Sequence, residues 1–145
     1  MPVVRKSALV PYSVEKMFDL VEQVEHYPSF LPWCGGSEVI WRNDEGMAAT
    51  IRISFKGISQ SFSTENLHRR PDFIKLKLRE GPFTHLNGDW HFKRLTEDAC
   101  RIDFQLDYDV KHGLLARLLN PVFGHIATTM VDAFVKQAEK RYGPA

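Results

Sequence analysis

Cys100-Arg101-Ile102-Asp103-Phe104-Gln105-Leu106-Asp107-Tyr108-Asp109-Val110 puts an apolar side chain at every second position, and the stretch from Asn120 to Gly143 then repeats its apolar residues every three or four. The first period belongs to a strand with one covered face and one wet face, the second to an amphipathic helix. One long terminal helix therefore has to lie on the covered face. Asn120-Pro121 supplies a cap and a first helical position, and Gly143 a stop, for a helix of about 22 residues. Phe123, Ile126, Ala127, Met130, Val131, Phe134 and Ala138 line its apolar face.

Upstream the alternation continues. From Ser37 to Val110, Met47 to Phe55, Ile74 to Arg79 and Leu86 to Lys93 each keep a period of two. Turn signals at Asn43-Asp44-Glu45-Gly46, Lys56-Gly57, Arg70-Pro71-Asp72, Gly81-Pro82 and Thr96-Glu97-Asp98 cut this region into about six strands of a meander. Val3 to Val10 is a first strand stopped by Pro11. Ser13 caps a helix from Val14 to about Val24, with Val14, Met17, Phe18, Val21 and Val24 on one stripe. Tyr27 to Gly36 is too rich in proline and glycine for a long helix and predicts one helical turn, then a loop. The result is α+β: a curved antiparallel sheet of about seven strands around a long C-terminal helix.

Composition bounds what such a domain can do. The 145 residues fit one domain, 1–145, with 43% hydrophobic and 26% charged residues, a globular mixture. Nineteen Lys and Arg against eighteen Asp and Glu give a net charge of +1, which excludes a polycationic tail but not a basic patch. Cys34 and Cys100 are too few for a disulfide framework. With no uninterrupted apolar run near ~20 residues and no signal-peptide core, the expected location is the cytoplasm.

On the strand registers above, Phe55, Phe62, Leu76 and Leu78 face inward with Trp90, Phe92, Phe104 and Tyr108. From the last helix, Phe123, Met130 and Phe134 meet them. A packed core is one reading. An apolar cavity is the other, since one helix hardly fills so wide a concave face and the small Ala49 and Gly88 leave volume. Enzyme chemistry is not expected, because Asp89, Asp103, Asp107 and Asp109 all take the outward phase and no nucleophile–base order stands out. No metal site is expected either: His85 and His91 are ~20 Å apart along a strand.

Two surfaces remain. Arg52, Lys56, Lys75, Lys77, Arg79 and Lys93 share the outward phase, a mixed soluble face or a basic area for RNA or anionic lipid. Phe30, Leu31 and Trp33 put large apolar groups in the Tyr27–Gly36 segment, where a core plug, a lid over the cavity mouth and a partner patch are all open.

Ser7-Ala8-Leu9-Val10-Pro11-Tyr12-Ser13, Met17-Phe18-Asp19-Leu20-Val21, Tyr27-Pro28-Ser29-Phe30-Leu31-Pro32-Trp33-Cys34 and Gly81-Pro82-Phe83 with Leu86, Gly88, Trp90 and Phe92 resemble the coenzyme Q-binding START-like family, whose bacterial members include RatA-type ribosome association toxins. The resemblance spans almost the whole chain. It implies the helix-grip (START-like, Bet v 1-like) fold, an apolar cavity, and no catalytic constellation or required cofactor. It implies two functions as well. The first is binding ubiquinone or a similar isoprenoid lipid in support of respiration, with Tyr108 or Asn66 at hand for a quinone carbonyl and transient contact with the inner membrane surface. The second is binding the large ribosomal subunit and blocking subunit association. The lipid carrier is the leading expectation and the ribosome factor its alternative; DNA is not an expected partner.

Overall fold

The computed structural model describes residues 3–143. β1 (Val3–Val10) leads into α1 (Val14–Glu22) and a 3-10 turn (Val24–Ser29). Six strands follow: β2 (Cys34–Asn43), β3 (Gly46–Phe55), β4 (Ile58–Arg69), β5 (Phe73–Glu80), β6 (Phe83–Thr96) and β7 (Ala99–Val110). α2 (Leu114–Tyr142) ends the chain. The strands make one antiparallel sheet in the order β1-β7-β6-β5-β4-β3-β2. Five of its six junctions are hairpins. The sixth joins β1 to β7 along its whole length, from Val3 opposite Asp107 to Val10 opposite Cys100. This is the antiparallel sheet around a long C-terminal helix that the periodicity predicts, and the helix-grip architecture that the resemblance implies.

α1 starts where Ser13 Oγ accepts the Lys16 N–H, and its stripe of Val14, Met17, Phe18 and Val21 is buried. Phe18 packs edge-on against Phe92, with ring centroids 5.6 Å apart, so α1 closes one end of the sheet. Gly143 ends α2 at φ 80°, its N–H reaching the Glu139 carbonyl at 3.0 Å. Cys34 and Cys100 are both free and buried, and burial pushes the Cys100 thiol up to about 11.

The sequence expectation fails at the starts of α2 and β2. α2 begins at Leu114 rather than at Asn120-Pro121, with Pro121 inside it. An interior proline costs ~3 kcal/mol through the lost N–H bond and its ring clash. Leu119 is fully buried and Leu115 and Ala116 pack on the core, and burying such side chains returns ~1.5–3 kcal/mol for a full leucine. Packing wins, and the helix runs through its proline. α2 has a mean hydropathy of 1.2 over its most apolar 18 residues, enough by length and composition to cross a membrane; here Phe123, Ile126, Ala127, Val131, Phe134 and Ala138 of its inner face are buried in the core.

β2 likewise starts at Cys34, within the segment expected to be a loop, and carries irregularities at Cys34/Gly36 and Val39/Trp41. A Cβ on Gly35 would lie 2.7 Å from Ser54 Cβ, so glycine there permits strand pairing rather than breaking it. The volume expected at Gly88 is absent. A Cβ there would meet Leu106 Cδ1 at 2.8 Å, the Gln105 carbonyl oxygen at 3.2 Å and Leu76 Cδ1 at 3.3 Å. Neighbouring leucines have closed over it.

Candidate functional site

Between α2 and the inner face of the sheet, with α1 and the 3-10 turn at one end, lies a cavity that offers the centre of a water molecule ≈ 60 Å³. Its walls are apolar: Met47, Ala49 and Ile51 from β3, Leu86 from β6 and Ile126 from α2 are typical. Six of the residues expected there line it, namely Phe62, Leu76, Trp90, Phe104, Phe123 and Met130.

Five do not. Phe55 turns to the surface and stacks on His125, with centroids 5.6 Å apart and planes 6° from parallel. Leu78 is half-buried beyond the cavity. Phe92 lies under α1 against Phe18. Tyr108 packs on Phe123 at 4.7 Å, its hydroxyl facing Gly124. Phe134 fills the space between Tyr27, Phe30 and Trp90 at 5.3–5.4 Å. All but Phe55 and Leu78 are buried, but α1 and α2 press directly on the sheet at those places, and only its middle stays open. The remaining space falls well short of the ~300 Å³ at which ligand pockets usually begin, so a quinone ring with a prenyl tail requires the walls to part.

One end of the cavity is polar. Thr64 and Asn66 of β4 and Glu22 of α1 reach it, and Asn66 Oδ1 is buried with no hydrogen-bond partner. An orphaned amide oxygen in an apolar space costs ~1–3 kcal/mol, and a bound group or a flipped amide with a partner would recover it. Glu22 also borders an open cleft toward the β2–β3 and β4–β5 turns, so it forms the partition between cavity and solvent. Its carboxylate is 2.6 Å from Arg42 Nε, while Arg42 Nη1 and Nη2 bind Glu25 at 2.6 and 3.0 Å. Burial raises the pKa of Glu22 in spite of Arg42, whose hydrogen bond lowers that of the more exposed Glu25. Among the described residues Glu22 carries the one carboxylate on the cavity wall, and alternation in the strands gives no signal of it because it sits on α1.

His68, in the same cleft, has a buried Nε2 without a partner, and burial lowers its pKa to about 4. Its folded-state pKa lies below the unfolded value of ~6.5, so the folded chain binds fewer protons. The stability this supplies is complete above about pH 6.5 and is lost as pH falls toward 4. Urea midpoints measured across that window should fall in the parent protein by at most about 3 kcal/mol equivalent and fall less in His68→Gln.

The Tyr27–Gly36 segment is packed inward. Leu31 and Trp33 are 2% and 4% exposed, Phe30 is half-buried on Tyr27 and Phe134, and Trp33 forms part of the cavity wall. That is the geometry of a plug. The six outward cations do not make a continuous basic area. Lys75 stands opposite Leu67 and Asp89, and Lys77 opposite Glu65 and Asn87. Arg52 donates to the Gly35 carbonyl, Arg79 lies at the far end of β5, and Lys93 faces Arg101 across β6 and β7. The outer cleft over β4–β7 holds two lysines, Lys75 and Lys77, against four carboxylates, Glu45, Glu65, Asp89 and Asp107. It also displays Trp41, 42% exposed, an aromatic that the sequence alone did not place on this face.

The strand carboxylates face outward as expected: Asp89 meets His91 at 3.3 Å, Asp103 meets Arg101 at 3.1 Å and Asp107 meets His85 at 3.1 Å. Among the described residues no group of three or more His, Cys, Asp or Glu is placed to hold a metal ion.

A family model described as polyketide cyclase/dehydrase and lipid transport matches residues 10–135. The ribosome association toxin RatA of Pseudomonas aeruginosa is 41% identical over 140 residues, covering 97% of each chain. The mitochondrial coenzyme Q-binding protein COQ10 of Drosophila melanogaster is 29% identical over 96% of this chain and 59% of its own. Among solved structures, the Zhui aromatase/cyclase of Streptomyces sp. R1128 superposes with a TM-score of 0.83 over 97% of this chain and 95% of its own, at 14% identity, a likeness of fold. The relatives matched at high identity carry toxin names, whereas some neighbours in fold are enzymes. The chain belongs to the polyketide cyclase/dehydrase and lipid transport family, within its RatA-type group.

Proposed function

We propose that this protein acts on the large ribosomal subunit and hinders its association with the small one, as a binding factor without bond-making chemistry. The full-length likeness to a ribosome association toxin at 41% identity carries this reading. The cavity adds to it by its small size, ≈ 60 Å³, which makes the surface rather than the interior the larger resource of the fold. This reverses the order of the sequence expectations, in which the lipid carrier leads. Sucrose-gradient sedimentation with purified ribosomal subunits tests it. The protein should travel with the large subunit and reduce the yield of associated ribosomes as its concentration rises. A protein that stays at the top of the gradient while subunits associate normally would sink the proposal.

One observation favours a second reading. The cavity is apolar with an unpartnered amide, Asn66, at its polar end, the pattern of a site for an apolar ligand with a hydrogen-bonding head. Ubiquinone has that form, and the likeness to a coenzyme Q-binding protein supports it. Organic extraction of the purified protein followed by mass spectrometry separates the two, since a co-purifying isoprenoid quinone belongs to the second alone.

A further inference from the structure

If the protein grips ribosomal RNA, some surface must combine positive charge with flat groups on which unpaired bases can stack. The outer cleft of the sheet fails on charge, as its carboxylates outnumber its lysines. A second groove runs between α2 and the packed Ser29–Trp33 segment, and it differs on both counts.

Its α2 side is built from residues three or four apart, so His125, Thr129, Asp132, Lys136 and Lys140 share one helix face. Lys140 is exposed and Lys136 borders the groove, and among the described residues no ion pair ties either of them to Asp132. Across the groove stand Phe30, Pro32 and Phe55, the last stacked on His125 to make a composite aromatic platform. Lys56 Nζ lies 5.4 Å from the Phe55 ring centroid and adds a third cation beside that platform. Two lining lysines thus face one lining carboxylate, with Lys56 at the edge of the platform.

The backbone at Lys56 is a further sign. Phe55 pairs with Ile58, leaving Lys56-Gly57 as a two-residue hairpin with φ of 51° and 80°. Both positions are left-handed, and Asn-Gly is the sequence that such a turn prefers. A lysine at the first position costs stability that asparagine would restore, and among the described residues its ammonium makes no ion pair, only the contact with Phe55. Its place makes sense as charge held beside the platform.

Resting on the ribosomal reading above, we infer that the groove between α2 and the Ser29–Trp33 segment is the RNA-contacting surface, with Lys56, Lys136 and Lys140 on phosphates and the Phe55–His125 stack under an unpaired base. The face of the sheet that carries Lys75, Lys77 and Arg79 is not the contact.

Two full-length variants separate these faces: Lys56→Asn with Lys136→Gln and Lys140→Gln in the groove, and Lys75→Gln with Lys77→Gln and Arg79→Gln on β5. Each is titrated against purified large subunits and against a labelled single-stranded RNA 12-mer, at several salt concentrations. The groove variant should bind both probes at least tenfold more weakly, with a salt dependence shallower by about two to three ions, since each of the three phosphates left without its lysine lowers the slope by ~0.7–0.9. The β5 variant should stay within about twofold of the parent, and Lys56→Asn alone should melt no lower than the parent. Parent-like binding by the groove variant, or weakened binding confined to the β5 variant, overturns the inference. A groove variant that no longer binds anionic lipid vesicles but still binds RNA also overturns it and reassigns the groove to membranes. Should the parent ignore subunits yet bind the 12-mer through the groove, the ribosomal reading falls and the groove assignment stands; a parent that binds neither probe removes both.

Discussion

Trp33→Ala is expected to lose about 3–5 kcal/mol of stability, the usual cost of truncating a fully packed aromatic. Trp33 is 4% exposed and stands in the cavity wall, so the space it vacates adjoins a void that is already open. Neighbours collapse poorly into a space with no second wall, which places the loss toward the upper end of the range. The backbone around it is tied down as well: its carbonyl accepts the Ser54 N–H at 2.8 Å, and the Leu31 carbonyl accepts that of Cys34 at 3.0 Å. Urea unfolding with an unchanged dependence on denaturant is the measurement. A midpoint within experimental error of the parent would mean that Trp33 is a detachable lid, and the plug geometry would be wrong.

Gly88→Leu should be comparably damaging, by about 3 kcal/mol or more, at the upper end of the range typical of overpacked cores or beyond it. Even a bare Cβ would sit 3.2 Å from the Gln105 carbonyl oxygen, which is backbone fixed by the β6–β7 ladder and cannot swing away. Leu106 and Leu76 could shift their methyl groups to admit alanine, but not three further carbons. Ala49 offers the contrast, because it borders the cavity and has open space before it. Ala49→Val should therefore cost far less, and thermal melts of the two variants decide the matter. Equal, small effects would show that the sheet is slack around Gly88.

Strand alternation made most of the sheet legible in the sequence. Ile102, Phe104, Leu106, Tyr108 and Val110 are all buried, while none of the residues between them is. Local rules misled where tertiary contacts overrode them. Pro121 looks like a helix start, yet Leu115, Ala116 and Leu119 before it pack on the core and extend the helix backward. Gly35-Gly36 looks like a loop, yet glycine is what lets β2 lie against Ser54 and Arg52. The cavity was legible only as a face, not as a volume. Phe92 and Phe134 point inward as alternation and helical spacing require, but which inward residues meet empty space depends on where α1 and α2 rest, and periodicity carries no such information. The Phe55–His125 platform unites a strand end with a helix far along the chain, and neither segment announces the other.

The pairing of the first strand with the last has a consequence for the order of events during synthesis. Val10 lies opposite Cys100, so β1 has no partner until β7 has been made. The hairpins from β2 to β7 can form as they emerge, since each joins neighbours in sequence, whereas the β1–β7 edge closes a long loop and must wait. The α2 groove is later still, because its lysines, Lys136 and Lys140, follow every strand. A nascent chain therefore carries no assembled α2 groove until all seven strands have been made.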